Sequence, residues 1–294
     1  MVSKVKVPPI KIQGIKTKLV PLIRDVVHDQ EFSTWVEPFL GSGVVGFNLA
    51  RKHAVFADTN PHLINFYNAI KSGEITPEKV RLFLKENGKY LEKEDDAFYY
   101  KMRERFNDTK EPLVFLFLNR SCFNGVIRFN KSGKFNVPYG HKPERFAQAY
   151  ITKIVNQVEY VQQLIRVNDW DFKCQSFEKT ITEAPEDSII YCDPPYIGRH
   201  VDYYDSWEET DESLLSNLLL KKSSKIIVST WDHNQYRKNE YIEKYWNSMN
   251  KITTEHFYHV GASENNRRSI MEALLVNFKY VKKNMDGKVS QLSF

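Results

Sequence analysis

Apolar residues Leu19, Ile23, Val26 and Val27 recur at helical spacing and predict a first helix just after the basic stretch Lys16-Thr17-Lys18. Residues 34–37 read as a short strand. They are followed by the turn Pro38-Phe39-Leu40-Gly41-Ser42-Gly43 and by a helix carrying Val44, Val45, Phe47 and Leu49. A second strand over residues 54–57 ends in Asp58. Strand, glycine-rich turn, helix, strand and acid in this order predict a βαβ unit that opens an α/β sheet.

Strand patterns then lapse. From about residue 60 to 147 the chain reads as mostly helical, with an acidic patch at residues 92–96 and an Asn- and Gly-rich basic stretch after it. Ile151, Ile154, Val155, Val158 and Val161 predict an amphipathic helix over residues 149–165, and four strands follow at 188–192, 225–230, 252–259 and 273–278. Leu214, Leu215, Leu218 and Leu219 mark a crossover helix that starts behind Thr210-Asp211. No internal repeat interrupts the pattern, and the last dozen residues read as a frayed polar tail. The expected organisation is a discontinuous α/β domain, residues 1–60 and 148–294, with residues 61–147 inserted over the carboxyl edge of its sheet, where ligands of such sheets bind.

Composition narrows the class. With 41% apolar and 14% aromatic residues the 294-residue chain can bury a full core. Its longest apolar run, residues 113–118, is far short of the roughly 20 residues of a membrane span. Pro8 and Pro9 interrupt the place where a secretory leader needs an apolar core. Cys122, Cys174 and Cys192 are an odd, dispersed set, which disfavours a disulfide framework or a zinc site and points to a reducing cytoplasm. No metal is expected. The formal net charge of +5 is too small to imply an anionic partner by itself. However, Arg120, Arg128, Lys131, Lys134, Lys142 and Arg145 face the single acid Glu144 within residues 119–145, so the whole excess lies there. A solvated basic loop is one reading. Interleaved Phe123, Phe129, Phe135 and Tyr139 favour another, phosphate contact with base stacking.

Two motifs carry chemistry. Gly41-Ser42-Gly43 alone is a weak dinucleotide signal, but Glu37 and Asp58 end adjacent strands beside it. An acid after the second strand, without further glycines or a phosphate-binding lysine, fits a nucleoside-type cofactor lacking pyrophosphate; a turn acid that caps the next helix is the plainer alternative. Asp193-Pro194-Pro195-Tyr196 follows the apolar run Ile189-Ile190-Tyr191-Cys192. Tandem prolines stop the strand ladder and leave carbonyls pointing outward. Asp193 and the Pro194 carbonyl can then each accept one N–H of an exocyclic amine while Tyr196 stacks on the planar ring.

Together, Glu37-Pro38-Phe39, Gly41-x-Gly43, Asp58, residues 119–125 (Asn-Arg-Ser-Cys-Phe-Asn-Gly), Arg128-Phe129-Asn130, residues 133–140 and Asp193-Pro194-Pro195-Tyr196 resemble, in order and over most of the chain, the Dam-like (D12 class, alpha group) DNA adenine-N6 methyltransferases. Stretches at residues 7–11, 13–18, 58–63, 196–203 and 256–263 look more like the EcoRV modification methyltransferase branch than Dam itself. The resemblance implies a Rossmann-like sheet with an inserted, mostly helical target-recognition domain. It implies S-adenosylmethionine as methyl donor, double-stranded DNA as partner and a flipped adenine as acceptor.

Position by position, Lys16, Glu37, Phe39, Gly41, Gly43, Asp58, Ser176, Phe177 and Asp193 match cofactor-binding residues of the family, and Asp193, Pro194 and Tyr196 its catalytic motif. Ile12 departs from the pattern, standing where Dam has a tryptophan. Arg120, Phe123, Asn124, Val126, Arg128, Lys131, Lys134, Pro138 and Arg145 are the implied DNA-facing set. Among them Phe123 meets the base stack, Arg128 reads a guanine, and Lys131, Lys134 and Arg145 meet phosphates. A GAT-containing site is implied, GATATC in preference to GATC, in a restriction–modification setting. The chain is then a monomer or weak dimer, with a cognate endonuclease acting independently. Related Asn-Pro-Pro-Tyr or Ser-Pro-Pro-Tyr motifs serve protein-glutamine and cytosine-N4 methylation, so the motif alone leaves the acceptor open. A DNA-binding regulator that keeps a silent cofactor fold is the alternative from a different class, and intact Asp58, Asp193 and Tyr196 speak against it.

Overall fold

The computed structural model describes residues 4–197, 207–259 and 267–280. Residues 198–203 and 260–263 of the resembling stretches, and the expected polar tail, lie outside the described residues. In chain order the elements are α1 (Val20–Val27), β1 (Thr34–Glu37), α2 (Gly46–Leu49), β2 (His53–Asp58), α3 (Pro61–Ser72), α4 (Pro77–Glu94), α5 (Asp96–Thr109), α6 (Pro112–Ser121), α7 (Gln148–Val167), β3 (Asp169–Cys174), α8 (Phe177–Glu183), β4 (Ser188–Cys192), α9 (Glu209–Leu219), β5 (Lys225–His233), α10 (Glu240–Tyr245), β6 (Asn250–His259) and β7 (Arg267–Val276).

The seven strands form one sheet in the order β3-β2-β1-β4-β5-β7-β6, in which β1 to β5 run parallel and β7 pairs antiparallel with both β5 and β6. This is the expected α/β, Rossmann-like sheet. Strand β3 was not expected. Its Asp-Trp-Asp-Phe-Lys-Cys sequence buries only Trp170 and Phe172, because it is an edge strand covered on one face, and its acids mask the alternation.

Both faces of the sheet are covered. Val36, Ile190, Cys192, Ile226 and Val228 point into one core, closed by α8 to α10. Trp35, Phe56, Tyr191 and Ile227 point into the other, which continues without a break into Leu84, Phe106, Phe117 and the α7 residues Ile154 and Val158. The inserted segment therefore shares its core with the sheet. Helix α3 lies directly on β3: Asn68 donates to the Phe172 carbonyl at 3.1 Å, and Tyr67 stacks on Phe172 at 5.4 Å.

Local sequence explains where the helices begin. Asn60 caps α3 by accepting from the N–H groups of His62 and Leu63, with Pro61 in the first turn, and Gly73 ends it at φ 80°. Thr76 and Pro77 repeat the device at α4. Among the described residues no helix is long and apolar enough to cross a membrane.

Helix α2 approaches the sheet so closely that a Cβ on Gly46 would lie 2.3 Å from both Glu37 Oε2 and a ring carbon of Phe56. Gly46→Ala should lower unfolding stability by about 1–3 kcal/mol, read from the denaturation midpoint. An unchanged midpoint would show that α2 can shift at no cost.

Candidate active site

The strand order reverses between β1 and β4: the chain builds outward through β2 and β3 on one side and through β5 on the other. Crevices of parallel sheets open at such a reversal, beyond the carboxyl ends of the strands. Glu37 ends β1, Asp58 ends β2, and Asp193 follows β4, so three acids from distant parts of the sequence arrive at one crevice. A cavity of about 520 Å3 fills it. Its walls come from residues 12–16, 37–42, 58–60, 126–129, 176–178 and 193–196, with Trp207 and Asp211.

The Pro38-to-Gly43 turn is shaped by backbone demands. Leu40 N–H bonds the Ala57 carbonyl at 2.8 Å, and Gly41 N–H bonds Asp58 Oδ2 at 3.0 Å. Asp58 Oδ1 accepts from Asn60 N–H at 2.9 Å, so this carboxylate ties the two strand ends together while lining the cavity. Gly43 sits at φ 74°, and a Cβ there would lie 2.6 Å from the Phe47 ring. Asp58 thus performs the structural role of a turn acid as well as standing in the cavity.

At the opposite wall Lys16, 6% exposed, places Nζ 2.9 Å from Asp193 Oδ1, 3.1 Å from the Gly14 carbonyl and 5.2 Å from the centre of the Tyr196 ring. Lysine, acid and aromatic therefore meet where the Asp-Pro-Pro-Tyr segment leaves β4. Glu37 is 2% exposed, and its Oε2 accepts from Trp35 Nε1 at 3.0 Å. Burial pushes its carboxyl up to about 8, against the Trp35 hydrogen bond, and the nearby Asp193 adds to the rise. Burial likewise raises Asp58, against the Asn60 and Gly41 N–H donors.

Phe39 and Phe177 stack at 5.5 Å, and Trp207 meets both rings, at 5.6 and 5.4 Å, forming an aromatic shelf beside the acids. Ser176 caps α8 and so sets Phe177 at the rim. Trp207 was missed in the sequence, where no spacing tied it to the other motifs. Its indole N–H is fixed on Glu212 at 2.8 Å.

The expected DNA-facing residues separate into groups. Phe123 is 53% exposed at the tip of a tight turn, beside Asn124 at φ 52°. Asn124, Lys131, Lys134 and Pro138 are exposed as well. Val126 and Arg128 instead line the cavity, and Arg128 is held by Asn136, Nε to Oδ1 at 2.9 Å and Nη2 to the carbonyl at 3.3 Å. Arg120 is 7% exposed, donating to the Pro9 carbonyl and, at 2.8 Å, to Gln157. Arg145 turns inward to the Cys122 carbonyl at 3.0 Å. Phe129, Phe135 and Tyr139, read as stacking aromatics, are buried in the insertion's core, where Phe129 stacks on His62 at 4.8 Å. Alternation of rings and cations does not reveal which ring faces solvent. Asn119 was read only as part of a motif. It is fully buried and clamps Lys11 through both backbone groups, at 2.8 and 2.9 Å, and the Gly125 carbonyl at 3.2 Å, which fastens the amino-terminal segment to the Phe123 turn.

The raised Glu37 carboxyl has a measurable consequence. The folded chain holds this proton more tightly than the unfolded chain, so its contribution to stability is fully present below about pH 4.5 and is lost as pH rises through about 8. Thermal unfolding of the ligand-free protein should shift to lower temperature across that window. Glu37→Gln should flatten the dependence; an undiminished slope in the variant would remove Glu37 as its source.

Residues 13–262 match the family described as D12 class N6 adenine-specific DNA methyltransferase. The DNA adenine methylase of Vibrio cholerae serotype O1 is 37% identical over 182 residues, 60% of this chain and 61% of that protein. The Haemophilus influenzae enzyme of the same name is 35% identical over 200 residues, covering 64% and 63%, and that of Escherichia coli K12 is 34% identical over 184, covering 60% and 61%. The aligned stretch thus spans less than two thirds of these relatives. Among solved structures, an rRNA methyltransferase from Streptomyces viridochromogenes covers 90% of this chain and 85% of its own at 12% identity, with a TM-score of 0.38, a distant likeness only. With the family match extending from the lysine-bearing amino-terminal segment past the Asp-Pro-Pro-Tyr motif, this chain belongs to the D12 class N6 adenine-specific DNA methyltransferases.

Proposed function

We propose that this protein is a site-specific DNA methyltransferase that modifies N6 of an adenine flipped out of a duplex, within a GAT-containing site. The observation that carries the reading is the meeting of Lys16, Asp193 and Tyr196 at the mouth of a cavity that Glu37, Asp58, Phe39 and Phe177 also line. Membership of the family implies S-adenosylmethionine, which when bound supplies an electrophilic methyl group. The residues fit that cation. Glu37 is a buried acid with no ion pair among the described residues, Asp58 offers carboxylate lone pairs at a ribose position, and the aromatic shelf suits an adenine ring.

The acceptor chemistry rests on the chain's own groups. The amino nitrogen of adenine is a poor nucleophile because its lone pair is delocalised into the ring. Acceptance of its two N–H bonds by Asp193 and the Pro194 carbonyl favours a pyramidal nitrogen and stabilises the positive charge that develops there. Tyr196 stacks on the extruded base, and the exposed Phe123 offers an aromatic surface to the vacated stack, both offsetting the few kcal/mol that flipping costs. Arg128 presents a guanidinium already oriented by Asn136, as bidentate reading of a guanine requires. The exposure of Lys131 and Lys134 suits phosphate contact, whereas Arg120 and Arg145 reach DNA only by giving up protein carbonyls. In this reading residues 61–147 serve target recognition around a catalytic domain formed by residues 1–60 and 148–294, with α3 packed on the sheet as their hinge of attachment. The chain acts as a monomer or weak dimer, with a cognate restriction endonuclease working separately.

GATATC, the finer assignment, is supported by the resemblance of the flanking stretches, with GATC as its competitor. Methylation of duplexes that vary the bases after GAT, using tritiated S-adenosylmethionine, should show greater incorporation in GATATC. Equal incorporation in GATC would reject the preference. Asp193→Ala should lower transfer by about 100-fold or more while duplex affinity is retained. Normal transfer by that variant would remove Asp193 from the chemistry, and absence of transfer by the unaltered protein on every duplex would favour a DNA-binding regulator.

A further inference from the structure

Strands β4 and β5 pair in parallel with Cys192 opposite Val228, so Asp193 and Ser229 are the next residues along the two strands. Ser229 is fully buried, and its Oγ donates to Asp193 Oδ1 at 2.8 Å. Behind it, the Tyr191 hydroxyl lies 3.0 Å from the same Oγ. Direction follows from counting hydrogens. A carboxylate carries none, so Ser229 gives its hydrogen to Asp193 at 2.8 Å in preference to the Cys192 carbonyl at 3.5 Å, and Tyr191 then supplies the hydrogen shared between the two hydroxyls. Tyr191 is itself pinned by stacking on Trp35 at 5.9 Å. Lys16 Nζ reaches the same oxygen, Oδ1, at 2.9 Å. Among the described residues both polar contacts to this carboxylate therefore fall on Oδ1, which leaves Oδ2 for a group in the cavity that Asp193 lines.

We infer that Ser229, backed by Tyr191, is a positioning residue for methyl transfer: it fixes the Asp193 carboxylate through one oxygen so that the other faces the acceptor amine. A chain Tyr191–Ser229–Asp193 with both hydroxyls committed has one favoured arrangement, and it sets the carboxylate rotamer from the interior of the sheet. The serine touches neither the base nor the methyl donor, so it acts on the rate of the chemical step and leaves binding alone. The inference rests on the adenine-methylating reading above.

The test is single-turnover methyl transfer by the full chain with tritiated S-adenosylmethionine, on a duplex that the unaltered protein methylates. Donor and duplex dissociation constants are measured alongside. Ser229→Ala should slow transfer by about 10- to 100-fold with both dissociation constants unchanged. Tyr191→Phe, which removes the donor to Ser229 but keeps the ring, should slow it less. Transfer at the unaltered rate in Ser229→Ala, or a loss that only mirrors weaker binding, overturns the inference. If Ser229→Ala fails to fold by circular dichroism, Tyr191→Phe decides, and an unchanged rate in that variant overturns it. No adenine methylation by the unaltered protein defeats the functional reading itself, a result separable from an active protein indifferent to Ser229.

Discussion

Everything at this site depends on keeping carboxylates together in a place poor in water. Charge in such a place is costly, and the cost falls only when each acid has donors or a counter-charge. The three acids meet this in different ways. Asp58 takes two backbone N–H groups, Asp193 takes Lys16 and Ser229, and Glu37 takes the Trp35 indole N–H and the Gly46 N–H while burial pushes its carboxyl up to about 8. Glu37, which has no counter-charge among the described residues, lies at the reversal point of the sheet, where a cationic ligand would enter. Stability given up in the empty protein is thus recoverable on binding.

The sheet makes this arrangement stiff. Parallel strands packed on both faces have little room to move, and the acids and their donors alternate along β1, β4 and β5 with the pleat. Trp35 and Glu37 on β1, Tyr191 on β4 with Asp193 just beyond it, and Ser229 on β5 share one side of the sheet; hydrogen bonds join Trp35 to Glu37 and Tyr191 through Ser229 to Asp193, and the Trp35–Tyr191 stack links the two sets. The same side of the sheet carries the core that runs on into the insertion, which makes the Phe123 turn an extension of the body that holds the cavity.

Much of this was legible in the chain. The periodic elements were, because helices α1, α7 and α9 and strands β1, β2, β4 and β5 are buried on regular faces. Glu37, Asp58 and the Asp-Pro-Pro-Tyr segment were, because acids and prolines at strand ends have few other uses. What was hidden depends on three-dimensional partners. Strand β3 is an edge with polar residues on its open face. Phe129, Phe135 and Tyr139 look like Phe123 in sequence and differ only in what covers them. Arg120 and Arg145 count as surface charge until their carbonyl partners are seen. Ser229 is one serine in an apolar strand, and only the β4–β5 register gives it a neighbour.

The cavity wall contributed by residues 126–129 has a thermodynamic consequence. That segment continues from the Phe123 turn, and Asn119 fastens the turn to the amino-terminal residues that lead to Lys16. On the proposed function, a ligand in the cavity and a duplex on the turn press on one connected body. To whatever extent filling the cavity alters the hold on DNA, engaging DNA must alter the hold on the cavity's ligand by the same factor.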